Sequence, residues 1–439
     1  MKKALSIFLT LLGIGFLTWK WVDSGNRLQL SPPEILGGVV RTDDGTGGRL
    51  YYLTGQWEKR VSRIGGMRSS SSTKTVSWHN IDLWELDTAT AQPLSRRRIK
   101  RDKVNGDFKA IGMEQGVLWA RIPELVGIRL ADGEIVVDRA KIEARNPGLA
   151  GLIPKQQPGT FLPDMMQPLK FDPQAGMTVR LDDARQVRID PLTLEATPYV
   201  EPGGQDPAPE NANSVSRIQL NSLGTGMEWR AMVRGLAMPQ TGGGGEWLGL
   251  LSESDLGNMK QYRTTGRGMD FSVPQRQRLY RAELKQMGES PDSNPSYENP
   301  SVLPESPEFL MAGLLIQGSG GGSPQSAMWR TDPDSVFVLS RDRLGDDGRL
   351  QLARISGLKG TPVWNVALPL SDMIAWLPGE RHAVMFGPDP SAPKSAMTGE
   401  NENPIMQVVS IDLTTGALNS FNPDLHRDWP IEGTSAKKP

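Results

Sequence analysis

The stretch MQVVSIDLTTGAL, Met406–Leu418, decides how the rest of the chain is read. Val408, Ser410 and Asp412 alternate with Val409, Ile411 and Leu413, the two-residue period of a strand that buries one face. Asp412-Leu-Thr-Thr-Gly416 then predicts a tight turn. Its carboxylate can accept backbone N–H groups two residues on, and Gly416 can adopt the positive φ that ends such a turn. A second strand is expected from Ala417. Weaker copies of this strand–turn–strand unit recur along the chain.

Composition agrees with many short strands. The 439 residues suffice for one large all-β domain or two ordinary ones. The 48 glycines and 34 prolines argue against long helices. There is no cysteine, which excludes disulfides, thiolate metal sites, cysteine nucleophiles and lipidation on cysteine.

Working outward from Met406, strands are expected at Leu350–Ile355, Val363–Leu368, Met373–Leu377 and Ala383–Phe386. Earlier ones are expected at Ile35–Arg41, Arg49–Thr54, Val76–Asp87, Gln92–Lys100, Phe108–Met113, Gly116–Ile122, Val126–Leu130, Met177–Leu181 and Arg185–Ile189. Further strands are expected at Ser216–Leu220, Trp229–Val233, Trp247–Leu251, Leu279–Leu284, Leu310–Gln317 and Ser335–Leu339. Ala140–Leu152 has helical composition. Gln56–Lys74, basic and ending in serines, reads as a long mobile loop, and Met287–Glu308, with five prolines, as a solvated one.

The turns at Asp87, Asp132 and Asp190 stand 45 and 58 residues apart, and those at Ser356 and Asp412 stand 56 apart. Repeats of about 40–50 residues with four short strands each are the signature of propeller blades. The expected fold is an all-β propeller of about seven blades (range six to eight) over residues 35–433, preceded by one N-terminal transmembrane helix. Residues 434–439 read as a disordered tail.

That helix is read from Met1-Lys2-Lys3 and the apolar run that follows. Leu5, Ile7, Phe8, Leu9, Leu11, Leu12, Ile14, Phe16, Leu17, Trp19 and Trp21 would lie in the membrane, with the two tryptophans at the interface. A signal peptide is the competing reading. Either way the basic start sends the bulk of the chain out of the cytoplasm, into a bacterial periplasm. Residues 1–24 are the anchor and 25–34 a polar tether.

The turn Asp412–Gly416 resembles the blade repeat of quinoprotein-like (PQQ-type) propellers, and Val363-Trp364 after the Ser356 turn is similar to the part of that repeat in which a tryptophan follows the glycine. The resemblance covers the blade turns alone. It implies a calcium-held cofactor, in many members stacked on a vicinal disulfide. With no cysteine and no cluster of Asp, Glu and Asn at a blade start, no cofactor is expected here.

Catalytic signatures are absent from the sequence. His79, His382 and His426 have no metal-ligand spacing, and Gly242–Gly245 and Gly318–Gly322 lack the lysine and hydroxyl of a phosphate cradle. No metal site is expected. Charge is more informative: Glu58–Lys103 carries a surplus of six positive charges in a chain of net charge −1. Its dense part is Ser95–Lys103, in which Arg96, Arg97, Arg98, Lys100 and Arg101 are the candidate partner-binding residues. As a strand it would place Arg96, Arg98 and Lys100 on one face. The cluster reads either as a surface for an anionic partner or as an edge strand guarded by charge. Nucleic acid is not expected. The function expected is a non-catalytic, membrane-anchored module that binds an envelope protein, of accessory or toxin-immunity type. The alternatives are a hydrolase or lyase acting on a glycan or lipid, and a small-ligand sensor.

Overall fold

In the computed structural model, residues 27–37, 39–43, 48–64, 72–103, 108–155, 168–172, 175–200, 246–251, 276–285, 296–315, 335–343, 348–356, 359–373, 375–377, 381–391, 406–426 and 429–432 are described. They form six antiparallel sheets, all open. The first holds β1 (Arg27–Leu30), β2 (Glu34–Ile35), β3 (Val40–Asp43), β4 (Gly48–Ile64), β5 (Ser72–Asp87) and β6 (Pro93–Asp102). The second is the meander β7 (Lys109–Glu114), β8 (Val117–Arg121), β9 (Leu125–Arg129) and β10 (Ile135–Asp138), followed by the short helix α1 (Arg139–Arg145). The third is β11 (Leu169–Asp172), β12 (Gly176–Arg180), β13 (Gln186–Ile189) and β14 (Ala196–Pro198). The fourth has three strands, β15 (Glu246–Leu251), β16 (Arg278–Lys285) and β17 (Ser296–Val302). The fifth is β18 (Leu310–Leu315), β19 (Ser335–Arg341), β20 (Leu350–Ser356) and β21 (Pro362–Ala367). The sixth is β22 (Ala375–Leu377), β23 (His382–Pro388), β24 (Met406–Asp412) and β25 (Leu418–Phe421).

Strand β24 corrects the expectation of one buried face. Val408, Val409, Ser410 and Ile411 are all fully buried. Val409 and Ile411 pack with Leu339 and Leu352 of the fifth sheet, whereas Val408 packs with Leu50, Tyr52 and Trp84 of the first. A sheet flanked by sheets on both sides has no wet face, so its strands bury both alternating sets. Comparable cores join the first sheet to the second, the second to the third, and Leu279 of the fourth to Val338 of the fifth.

Five hairpin turns share one backbone geometry, each joining the last two strands of its sheet. The first residue's N–H donates to the carbonyl five residues on, at Asp87, Arg129, Asp190, Ser356 and Asp412. The fifth residue takes positive φ: Ala91, Gly133, Leu194, Gly360 and Gly416. At Asp412 the carboxylate accepts the N–H groups of Thr414 and Thr415, both at 2.9 Å. Asp87 and Asp190 cap their turns in the same way. The second turn begins at Arg129, not at Asp132, whose carboxylate instead accepts the N–H of Glu134 at 3.0 Å. Three residues therefore separate the true start from the one read in the sequence.

Two expected loops are strands. β4 and β5 pair through 16 residue pairs, from Arg49↔Asp87 to Ile64↔Ser72, so Gln56–Lys74 is largely ladder. An antiparallel pair satisfies its backbone without burial, and polar composition alone does not forbid it. Strand β17 pairs with β16 despite Pro300, because the register shifts there. Arg281 faces Ser301 and Glu283 faces Glu298, which leaves Asn299 and Pro300 together opposite Ala282. A proline is accommodated at such a bulge, where its missing N–H breaks no ladder bond. Ala140–Leu152 is helical as expected, as α1 and a 3₁₀ turn at Pro147–Leu149.

Among the described residues no helix is long and apolar enough to cross a membrane. The expected anchor, Leu5 to Trp21, lies outside them, as do Ser216–Leu220, Trp229–Val233, both glycine runs and the tail 434–439.

Candidate functional site

The first sheet differs from the others in how far it extends. β4 and β5 continue past their last apolar core pairs, Leu53↔Leu83 and Gly55↔Ile81, by roughly 30 Å at 3.3 Å per residue. On one face of this hairpin lie Tyr52, Thr54, Gln56, Glu58 and Arg60 of β4, opposite Trp84, Asp82, Asn80, Trp78 and Val76 of β5. β6 adds its arginines to this face.

A bulge sets which arginines arrive there. Asp82 pairs with Arg98 and Ile81 with Lys100, leaving Ile99 unmatched. The extra residue inverts the alternation. Arg96, Arg98 and Arg101 consequently share a face, and Lys100 turns to the other side, where its Nζ donates to the Ile122 carbonyl at 3.4 Å. The expected grouping of Arg96 and Arg98 with Lys100 is corrected accordingly.

The innermost part of the face is an ion cluster. Asp82, 2% exposed, accepts Arg96 Nε at 2.9 Å and Nη2 at 2.6 Å through Oδ2, and Arg98 Nε through Oδ1. Arg98 Nη1 donates to Asn80 Oδ1 at 2.9 Å. The Arg96 guanidinium lies 4.9 Å over the Trp84 ring, whose Nε1 donates to Thr54 Oγ1 at 3.1 Å. A buried group of this kind holds its geometry because every charge has a partner; removing the carboxylate would cost about 3–5 kcal/mol.

Farther out, Glu58 is a buried carboxylate serving three donors. Arg101 Nη2 lies 2.8 Å from Oε1, Arg60 Nε 3.2 Å from the same oxygen, and Asn80 Nδ2 3.2 Å from Oε2. Beside it Trp78 gathers three cations: Arg101 at 4.7 Å, Arg60 at 5.6 Å and Lys103 at 5.9 Å from its ring. On the opposite face Trp57 stacks on His79 at 4.5 Å, and Phe108 meets the imidazole edge-on. Burial pushes the His79 pKa down to about 4.

Arg97 plays a different part. Its Nη1 donates to the Leu130 carbonyl in the second sheet's turn at 3.0 Å, and its Nε meets Glu432 at 3.0 Å. Glu432 also donates its N–H to the Arg96 carbonyl, so the outer edge of β6 is paired here with the chain's C-terminal segment.

The cluster thus divides. Arg96 and Arg98 are occupied in the sheet, Arg97 in joining sheets, Lys100 at a loop carbonyl, and Arg101 shares the more exposed outer group. Sequence reasoning missed Glu58, Arg60 and Trp78; Lys103 lay in the basic stretch without being singled out. The signal was the alternation of indoles and cations in Trp57–Arg60 and Trp78, which becomes visible once Gln56–Lys74 is read as paired strands. The other histidines have separate neighbours: His382 Nε2 is 3.7 Å from Asp412, and His426 stacks on Phe421 at 4.9 Å. Among the described residues no three His, Asp or Glu side chains are grouped to hold a metal ion.

No family model matches the sequence, and no curated protein matches it either.

Proposed function

We propose that the six sheets are the blades of one β-propeller, similar in its turns to the quinoprotein-like repeat, and that it serves as a non-catalytic binding platform tethered to the inner membrane by residues 1–24. The reading rests on one observation: the latches between sheets include one from the last sheet to the first. Each of the five shared turns is gripped by what precedes it. Trp364 Nε1 of the fifth sheet donates to the Leu413 carbonyl at 3.1 Å. Arg97 of the first grips the Leu130 carbonyl of the second. Asn146, after the second sheet, donates to the Leu194 carbonyl at 2.7 Å. The Glu305 N–H, after the fourth, donates to the Lys359 carbonyl at 3.1 Å. From the sixth sheet, Ser410 Oγ donates to the Thr88 carbonyl and Asn419 Nδ2 to that of Ala89 at 3.1 Å. The series runs from the first sheet to the third, and from the fourth through the sixth back to the first, the order a ring requires.

A rigid ring has two ends. The long hairpin projects from one, because β5 runs from the hairpin tip to the Asp87 turn. The shared turns lie at the other, where Leu192 is 66% exposed. The platform would hold an envelope protein at the turn end. The test places a photocrosslinking side chain at Leu192 or at Lys59 in the full-length chain, in its native membrane. A protein trapped from Leu192 and not from Lys59 is the expected result. A chain that traps no protein from Leu192 would favour the enzyme or small-ligand alternatives.

A further inference from the structure

We infer that the distal hairpin of the first sheet is a seat for anionic phospholipid headgroups, holding the ring upright on the membrane surface. This rests on the anchored reading above and extends it.

The first observation is register. β1 pairs antiparallel with β4, Arg27 facing Val61 and Leu30 facing Glu58. Followed backwards, the chain therefore leaves at the hairpin's far end, next to Ile64 and Ser72. Whatever precedes Arg27 starts from there. Only residues 25 and 26 separate residues 1–24 from Arg27, so an anchor there would bring the Ile64–Ser72 end of the hairpin to the bilayer surface.

The second observation is charge. Lys59 and Arg60 are exposed on the part of β4 beyond the core. Arg60, Arg101 and Lys103 converge on Trp78, and the Glu58 carboxylate pairs with Arg60 and Arg101. Among the described residues neither Lys59 nor Lys103 has a carboxylate within ion-pair distance of its ammonium. Like charges held around one indole repel, and an anion arriving between them relieves that repulsion. Basic side chains next to a membrane-spanning segment are drawn to anionic lipid, and an indole favours the interface. Phosphate headgroups meet each of these requirements. An acidic protein would meet the charge but would not explain why the chain's entry point and the basic face share one end.

The sequence has no cysteine, so single labels are easily placed. The full-length chain would be reconstituted in vesicles of phosphatidylcholine alone or with phosphatidylglycerol. A spin label would be carried at Thr75→Cys in the hairpin or at Leu192→Cys in the turn end, and its accessibility to a water-soluble relaxant measured. Flotation with the neutral vesicles reports the anchor separately; a chain that does not float contradicts the anchored reading, and this inference falls with it. The expected result is that the Thr75→Cys label loses most of its accessibility in anionic vesicles relative to neutral ones, while the Leu192→Cys label does not change. The double variant Lys59→Glu, Lys103→Glu should restore it without altering flotation. A Thr75→Cys label equally exposed in both vesicles, on a chain that floats, would overturn the inference and leave the anchor standing.

Discussion

Trp364 and Arg97 do the same job with different chemistry. Each sits on the last strand of its sheet and donates to the carbonyl of the second residue of the neighbouring turn, Leu413 or Leu130. Each also lies against the positive-φ glycine of that turn, Gly416 or Gly133. Trp364 brings a rigid ring that packs with Phe337. Arg97 brings a flexible stem and a charge that also engages Glu432 and Glu85. The comparison teaches that the latch is defined by an N–H aimed at one carbonyl. A tryptophan is only one way to supply it.

The largest difference should appear on truncation. Trp364→Ala removes packing as well as the hydrogen bond and should cost about 2–4 kcal/mol in chemical unfolding. Arg97→Ala should cost less, about 1–2 kcal/mol, because a neutral carbonyl acceptor loses its donor and partly exposed ion pairs contribute little. Its effect should also shrink in high salt, whereas that of Trp364→Ala should not. Equal costs with equal salt dependence would break the distinction.

A finer test uses the glycines. A Cβ at Gly416 would stand 2.9 Å from the Trp364 ring, and one at Gly133 would stand 3.0 Å from Arg97 Cδ. Both glycines have positive φ, +76° and +75°, so each alanine variant carries about 1 kcal/mol of backbone strain. The arginine stem can move aside and the ring cannot. Gly416→Ala should therefore lower the melting temperature more than Gly133→Ala.

The smallest effect concerns acid. Burial pulls the Asp412 pKa up, but the N–H groups of Thr415 and Thr414, Arg381 and the Thr415 hydroxyl outweigh it and hold it below 3.8. A depressed carboxylate stabilises the fold above its unfolded pKa, and that share is lost as pH falls through the folded value. Unfolding of the parent chain followed below pH 4 should show this loss, and Asp412→Asn should show less of it. An identical acid response in both would remove the carboxylate from the account.

The sequence makes local chemistry legible. The Asp87, Asp190 and Asp412 turns could be read because one side chain caps its own backbone. The start of the second turn was hidden because Arg129 has no carboxylate to cap the turn's N–H groups; its guanidinium pairs with Asp132, which carries the recognisable carboxylate, and with Glu134. The arginine cluster was visible as composition, but its faces were not, since a bulge at Ile99 depends on the partner strand. Strand β17 was masked by Pro300, and the hairpin by its polarity. Leu169–Asp172 and Ala196–Pro198, only four and three residues long, carry too little pattern to be named.

The central claim is that the last sheet meets the first. It can be tested by placing cysteines at Ala89 and Asn419, whose contact is the Asn419 amide on the Ala89 carbonyl, and treating the monomer with a short bis-maleimide. A ring predicts a rapid intramolecular 89–419 link by mass spectrometry, and none for a control pair at Ala89 and Thr193. A folded protein that forms no 89–419 link would contradict it.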